Sequence, residues 1–301
     1  MNRPLISVIT VTWDLLRHGR RETFLSALQC VQKQSFRDIE HIVLDGASTD
    51  GTQTFIQELV EDYSSSQDSI PIRFRSDAGD GLYDAMNRAV AMARGDYVIF
   101  LNSDDTLVGY DLFEKLAKLI RQFPSDFYFG STLEVRQSGD VKEFARVNLC
   151  AFLQRMPFCH NSFLVRRSTF EQLGGHDTNY RVASDYDFVF RMLIAGWSGL
   201  DVGFPISSYS SRGVSADRLA VARDYAKVWE TFYRQRFPED VWGKCEHLEW
   251  FRVGQLPIRL CVALIKTSDR KSMVRRAALH SLKIAIRRKL QPWRRWDNIG
   301  S

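Results

Sequence analysis

The sequence predicts an α/β fold: a mostly parallel sheet flanked by helices, followed by a helical, basic C-terminal extension. Two observations carry this reading. Over residues 5–101, apolar runs of strand length alternate with segments of helical period, the pattern of strands joined by crossover helices. Polar, acidic clusters then recur at 12–14, 45–50, 77–80 and 102–105, each just past one of those runs. Ligands of such sheets gather outside the carboxyl ends of the strands. A chain of 301 residues, 45% hydrophobic and 26% charged, can bury that core and still carry an appendage.

Taken in order, residues 5–11 form a first strand. Asp14 and Arg17 follow so soon that neither a signal peptide nor an anchor is expected there. Phe24, Leu25, Leu28 and Val31 give helical spacing over 20–34, and residues 39–44 are a second strand. The turn Asp45-Gly46-Ala47-Ser48-Thr49-Asp50-Gly51-Thr52 leads into a helix over 53–63, with Phe55, Ile56, Leu59 and Val60 inward. A polar loop, a short strand at 72–75 and the Gly-rich 76–81 precede a helix over 83–94 and a strand over 96–101. Beyond it the pattern gives a helix at 110–123 and a strand at 126–135. That strand turns through Ser138-Gly139-Asp140 into a hairpin partner at 141–144. A strand at 162–166, a short helix at 170–173 ended by Gly174-Gly175, and helices at 184–195 and 217–236 complete the series.

Charge is divided unevenly. Residues 241–301 hold 14 Lys/Arg against 4 Asp/Glu, a net of +10, so the first 240 residues carry −5 of the overall +5. The five cysteines are odd in number and lack metal-ligand spacing, which predicts reduced thiols in a cytoplasmic protein. There is no P-loop lysine and no Gly-x-Gly-x-x-Gly turn, so triphosphate-hydrolase and dinucleotide chemistry are disfavoured. No Gly-x-Ser-x-Gly nucleophile turn and no zinc spacing occurs either.

The clusters carry the chemistry. The apolar run Val98-Ile99-Phe100-Leu101 delivers Asn102-Ser103-Asp104-Asp105 at a strand end. Adjacent carboxylates repel and need solvation or a partner. Asp104 and Asp105 read either as a helix cap or as ligands for Mn2+ or Mg2+, hard cations that bridge to diphosphates. Asp45 ends a buried strand and suits a base or ribose hydrogen; Ser48, Thr49 and Asp50 serve equally as turn caps. Asp77 and Asp80 lie among Arg73, Arg75 and Arg88, any of which meets phosphate or solvent. Asp84 and Asn87 share a helix face, toward sugar hydroxyls or toward the Asp104 loop. Asp185, in Ala183-Ser184-Asp185-Tyr186-Asp187, reads as a general base for a hydroxyl acceptor or as a helix-start charge, with Asp187 as fallback. His160 is a structural donor or lines the acceptor or diphosphate site. Together these point to a nucleotide-diphosphate enzyme moving a sugar; the runners-up are a nucleotidyltransferase and a noncatalytic sugar- or membrane-binding protein.

Val8-Ile9-Thr10-Val11-Thr12, the Asp45 to Thr52 turn, Gly81-Leu82-Tyr83-Asp84-Ala85-Met86-Asn87, Gly95-Asp96-Tyr97 and Leu101-Asn102-Ser103-Asp104-Asp105 closely resemble the family 2 glycosyltransferases. Pro157-Phe158-Cys159-His160, Ala183 to Asp187 and Gly213-Val214-Ser215 extend the resemblance over roughly 5–215. Its nearest flavour is the bacterial exopolysaccharide and colanic-acid-type branch. The resemblance implies a GT-A fold over 1–215, with a Rossmann-like nucleotide half at 1–105 and an acceptor half at 106–215. It implies transfer of a single sugar from a nucleotide diphosphate sugar, with inversion and with a divalent metal. Thr10, Thr12 and Asp45 would line the nucleoside pocket, and Asp14, Ser48, Asp77, Asp84, Asn87, Arg88 and His160 are the further donor-side candidates. Asp104 and Asp105 would be the metal and diphosphate motif, and Asp185 the base. Three positions depart from the family pattern: Asn102 for Asp, Gly79 for Asp, and Asp14 for Asn.

The extension at 216–301 mixes Leu260, Leu264, Met273, Ala277, Leu282, Ile284, Ile286 and Leu290 with nine Lys/Arg between 266 and 289, and closes on Pro292-Trp293-Arg294-Arg295-Trp296. Apolar and basic faces with terminal tryptophans fit an anionic membrane surface. They also describe a helix pair packed on the domain or between copies, or a nucleic-acid arm. The preferred reading is a peripheral protein on the inner face of the cytoplasmic membrane, with a polyprenyl-diphosphate-linked glycan as acceptor, no nucleic-acid partner, and homo-oligomerisation left open.

Overall fold

In the computed structural model, residues 3–136, 140–144, 148–210, 217–239 and 244–290 are described. They form two compact units. The first comprises Met1–Arg146, Phe158–Thr178 and Ser198–Ser211; the second comprises Val147–Pro157, Asn179–Trp197 and Arg212–Ser301. The Ser138-Gly139 turn, the Gly213-Val214-Ser215 motif and the closing Pro292 to Trp296 segment lie outside the described residues.

The first unit is a nine-stranded sheet covered by helices. Its strands are β1 (Ile6–Thr12), β2 (Ile39–Asp45), β3 (Ile72–Ser76), β4 (Tyr97–Phe100), β5 (Thr106–Leu107), β6 (Phe127–Val135), β7 (Val141–Phe144), β8 (Phe163–Arg166) and β9 (Gly199–Ser210). Its helices are α1 (Arg21–Gln32), α2 (Thr52–Ser64), α3 (Leu82–Met92), α4 (Leu112–Gln122) and α5 (Arg167–Gln172). The strand order is β3-β2-β1-β4-β8-β6-β9-β5, with β7 paired to β6. Ile6, Val8, Ile99, Phe113, Leu116 and Tyr128 share one buried cluster on one side, and Phe24, Val43, Phe55 and Ile56 another.

The mostly parallel sheet expected from the sequence is corrected to a mixed one. β3, β2, β1 and β4 run parallel. Beyond β4, β8 is antiparallel to both β4 and β6, β7 is antiparallel to β6, and β5 to β9; only β6 and β9 are again parallel. The cause lies in the connections. After residue 105 the two strands joined by a helix, β5 and β6, are not neighbours in the sheet, since β9 lies between them, so no parallel return is enforced. The 12-residue β9 also escaped sequence reading, because Gly199, Gly203, Pro205, Ser207, Ser208 and Ser210 erase its apolar period. Pairing with β6 on one side and β5 on the other supplies what propensity does not.

Two buried polar pairs lock β1 to β2. Ser7 Oγ donates to Glu40 Oε1 at 2.7 Å, and Thr10 Oγ1 meets His41 Nε2 at 2.9 Å. The resulting register sets Thr12 beside Asp45, and Asp45 beside Ser76. A one-residue slip would turn these side chains to the wrong face.

The second unit is helical: α6 (Ser184–Ala195), α7 (Arg218–Arg236), α8 (Lys244–Val253), α9 (Ile258–Thr267) and α10 (Met273–Leu290). Its aromatic core stacks Tyr186 on Tyr225 at 3.8 Å. Trp229 Nε1 donates to the Tyr186 hydroxyl at 2.9 Å, which donates in turn to the Phe152 carbonyl at 2.7 Å. Asp224 of α7 accepts from the Val182 and Ala183 amides and so fixes the entry to α6. Among the described residues, no helix is long and apolar enough to cross a membrane.

Candidate active site

The carboxyl ends of β1, β2, β3 and β4 carry the polar clusters, all within the first unit. At the end of β2, Asp45 is fully buried. Its Oδ1 accepts from Thr12 Oγ1 at 3.0 Å and Ser48 Oγ at 2.6 Å, and its Oδ2 from the Ser48 amide and Ser76 Oγ, both at 2.8 Å. Four donors match the roughly four lone-pair sites of a carboxylate, so Asp45 organises the rim and has no open site. Thr10 sits deeper in β1, held to His41, whose imidazole burial pushes down to about 3.

The loop at 13–20 folds over this end. Asp14 is buried with φ +45°, and Ala47 in the facing turn has φ +56°. Both are left-handed conformations that non-glycine residues seldom adopt, and such strain collects at functional sites. The Asp14 amide donates to Ser48 Oγ at 2.7 Å, its Oδ1 accepts from the Thr49 amide at 3.2 Å, and its Oδ2 pairs with Arg17. Asp50 accepts from the Thr52 amide at 3.0 Å and so caps α2, the structural alternative weighed for it. Trp13 stands 61% exposed over Gly46.

A second cluster follows β3. Arg88 pairs with Asp77 at 3.0 Å and Asp84 at 2.8 Å, and Asp77 also meets Arg75 at 2.7 Å. Arg73 pairs with Glu40 at 3.4 Å. All three arginines therefore have carboxylate partners. Gly79 makes room for this arrangement: a Cβ there would lie 2.0 Å from Arg88 Nη2 and 2.2 Å from Asp84 Oδ2. Asn87 acts as a backbone mimic. Its Nδ2 donates to the His176 carbonyl at 2.8 Å and its Oδ1 accepts from the His176 amide at 2.9 Å. A Cβ at Gly175, where φ is +68°, would meet that Oδ1 at 2.7 Å.

The third cluster lies past β4. Asp105 is 5% exposed, and its Oδ2 accepts from Asn102 Nδ2 at 2.8 Å and Asn161 Nδ2 at 2.6 Å. Burial, with the Asp104 charge behind it, pushes the Asp105 carboxyl up to about 6 against those two amides. Asp104 is the more open of the pair, with Arg20 Nη1 3.7 Å away. Asn161 Oδ1 is buried and finds no hydrogen-bond partner among the described residues. The loop at 13–20 thus touches both the Asp45 turn, through Asp14 and Arg17, and Asp104, through Arg20. Among the described residues no group of three or more His, Cys, Asp or Glu side chains is arranged to hold a metal ion. Asp104 and Asp105 nonetheless suit a divalent cation that takes its remaining oxygens from a ligand, since the cation would relieve the burial and like-charge repulsion that raise Asp105.

His160 opens the 3-10 turn His160–Ser162 before β8, next to Asn161. Asp185 lies in the first turn of α6 in the second unit, partly exposed, with Oδ1 accepting from the Tyr186 amide at 2.8 Å. Asp187 is buried and paired with Arg191 at 2.8 Å. Sequence reading missed Asn161, Arg20 and Trp13 as site residues. Asn161 had a signal in its neighbour His160; Arg20 and Trp13 had only their place in the loop after β1.

The model of the glycosyl transferase family 2 matches residues 7–186. A PGL/p-HBAD biosynthesis glycosyltransferase of Mycobacterium bovis is 28% identical over 192 residues, covering 64% of this chain and 70% of the relative. An uncharacterized glycosyltransferase of Mycobacterium tuberculosis is 29% identical over 243 residues, covering 78% and 86%. Among solved structures, S. aureus TarS 1-349 in complex with UDP-GlcNAc superposes with a TM-score of 0.61 at 16% identity, covering 96% of this chain and 93% of that one. A mannosyltransferase from Pyrobaculum calidifontis in complex with GDP-Man and Mn2+ gives 0.57 at 18%, covering 98% and 82%. The α/β fold with its helix-flanked central sheet accords with the GT-A superfamily, and a family match over more than half the chain settles membership: this protein belongs to glycosyl transferase family 2, as a glycosyltransferase-like enzyme.

Proposed function

We propose that the protein moves a single sugar from a nucleotide diphosphate sugar to a hydroxyl of a lipid-linked glycan in bacterial exopolysaccharide synthesis, with inversion at the anomeric carbon. One observation carries the donor side: Asp105, buried beside Asp104 at the end of β4 and clamped by two amides, is held where its charge is disfavoured. Asp104 and Asp105 would hold Mn2+ or Mg2+, which when bound supplies positive charge against the departing diphosphate. Thr12, Asp14, Asp45 and Ser48 shape the nucleoside side, with the open face of Trp13 available to a base. Asp77, Asp84 and Arg88 form its flank, and Asn87 positions the segment at His176. Asp185 takes the acceptor hydroxyl's proton as that oxygen attacks. Bound UDP-GlcNAc in one structural neighbour, and GDP-Man with Mn2+ in the other, support this class of donor.

The membrane reading rests on α10. That helix buries Val274, Ala277, Ala278, Ser281 and Ala285 but exposes Leu279 (39%), Ile286 (44%) and Leu290 (68%). Spaced seven and four apart, the three large residues fall on one narrow stripe. Exposed Lys283, Arg287 and Lys289 flank it. Small residues inward and large apolar ones outward, among lysines and arginines, suit an anionic bilayer surface.

The test is a panel of UDP- and GDP-sugars with Mn2+ or with EDTA, read as released nucleoside diphosphate and as product anomer by NMR. Inversion, loss of rate in EDTA, and loss of rate in Asp185→Asn are expected. A retained anomer, full activity in EDTA, or a wild-type rate from that variant would each remove the corresponding part of the proposal.

A further inference from the structure

The second unit contains an open cavity of about 680 Å³ with no part in the chemistry above. Its walls combine two kinds of surface. Leu219, Leu248 and Phe251 supply apolar area, and Arg218, Arg252 and Arg288 supply positive charge. Leu219 is 56% exposed, and Phe251 is braced edge-on against Tyr225 at 5.2 Å.

The three arginines are not equally satisfied. Arg252 forks onto Glu249 at 2.6 and 2.7 Å, on one turn of α8. Arg288 reaches in from α10 and donates Nη1 to the Val253 carbonyl at 2.6 Å, and among the described residues no carboxylate pairs with it. Its Nε is buried and finds no hydrogen-bond partner among the described residues. Burial lowers the Arg288 pKa below the usual guanidinium value, so the site strains to hold the charge it contains. An unmet buried donor is unfavourable, and a guanidinium fork matches a phosphate geometrically. Glu249 offsets one of the three positive charges, so the lining carries a net +2.

We propose that this cavity seats the phosphate headgroup of an anionic lipid, with the phosphate on Arg218 and Arg288 and the first part of the hydrocarbon chain along Leu219, Leu248 and Phe251. A free phosphate would use only the charged wall, and a neutral amphiphile only the apolar one; the combination selects a ligand that has both. The proposal goes beyond the membrane reading of α10 and does not rest on it: Arg288 lies about 180° around the helix from Leu279 at 100° per residue, so the cavity wall and the apolar stripe occupy opposite faces.

The experiment titrates the full chain calorimetrically with dihexanoyl phosphatidic acid below its micellar concentration, with dihexanoyl phosphatidylcholine, and with inorganic phosphate. Saturable binding of the phosphatidic acid, at least tenfold tighter than either control, is expected. Arg218→Gln and Leu219→Asp, both at exposed positions, should each weaken it at least tenfold, and Arg288→Gln more. Equal affinity for inorganic phosphate, or wild-type binding by both Arg218→Gln and Leu219→Asp, overturns the proposal. The double variant Ile286→Glu/Leu290→Glu separates the two ideas. It should stop pelleting with phosphatidylglycerol vesicles, yet bind the short-chain lipid as the wild type does. Loss of short-chain binding in that variant would also overturn the cavity assignment, whereas undiminished pelleting would remove only the α10 reading.

Discussion

Asp45 and Asp105 follow the two strands that flank β1, and both are buried. They differ in what surrounds them. Asp45 accepts three hydroxyls and one amide, spread over both oxygens. Asp105 accepts two side-chain amides on one oxygen only and faces a second carboxylate. Burial alone therefore does not distinguish the two carboxylates. The informative quantity is the mismatch between a carboxylate's charge and its donors: at Asp45 the protein has closed that gap, and at Asp105 it has left it open.

The sharpest way to break this comparison is Asp105→Asn. It should lower turnover at least a thousandfold, about 4 kcal/mol of barrier, while leaving the thermal midpoint unchanged or raised because a buried like-charge pair is relieved. A lowered midpoint with normal turnover would make Asp105 structural. Asp45→Ala should act first on stability. It strands four buried donors, so urea denaturation should show a loss of about 3 kcal/mol or more; an unshifted urea midpoint would refute its role as organiser. Asn161→Ala should be milder, with roughly tenfold slower turnover from loss of one charge-assisted hydrogen bond, and little change in stability.

A further expectation concerns His41 and the pH dependence of stability. The unfolded imidazole takes its proton near 6.5, the folded one only near 3, so the unfolded state binds more protons between those values. Stability is complete above pH 6.5 and declines as pH falls toward 3, with a slope of up to about 1.4 kcal/mol per unit from this group. His41→Gln should flatten that slope in urea titrations between pH 6.5 and 4. An identical slope in the variant would show that other groups control it.

Much of the first unit was legible because its apolar runs obey period 2 or 3.6. The strands at β1 to β4 and the hairpin β6–β7 fall where the pattern places them, within a residue or two at most ends, as does α6 of the second unit. Topology beyond β4 was not legible. Nothing in the local pattern distinguishes an antiparallel β8 from a parallel one, and β9 is held by two neighbours rather than by its own residues. The acidic clusters were visible as residue types at strand ends. Their hydrogen-bond partners were not, since Asn161 approaches Asp105 from 56 positions away. Asn102 shows the limit best: it stands out in the sequence only as a departure from a family pattern, whereas the structure makes it a donor to Asp105, a task aspartate would not perform.

Gly79 carries a consequence for how this sequence can change. A side chain at 79 and the Arg88–Asp84 ion pair claim the same volume, so a Cβ there would displace the flexible ends of both side chains. A side chain at 79 should therefore cost more with Arg88 present than with a small residue at 88, in a combinatorial library spanning positions 79, 84 and 88.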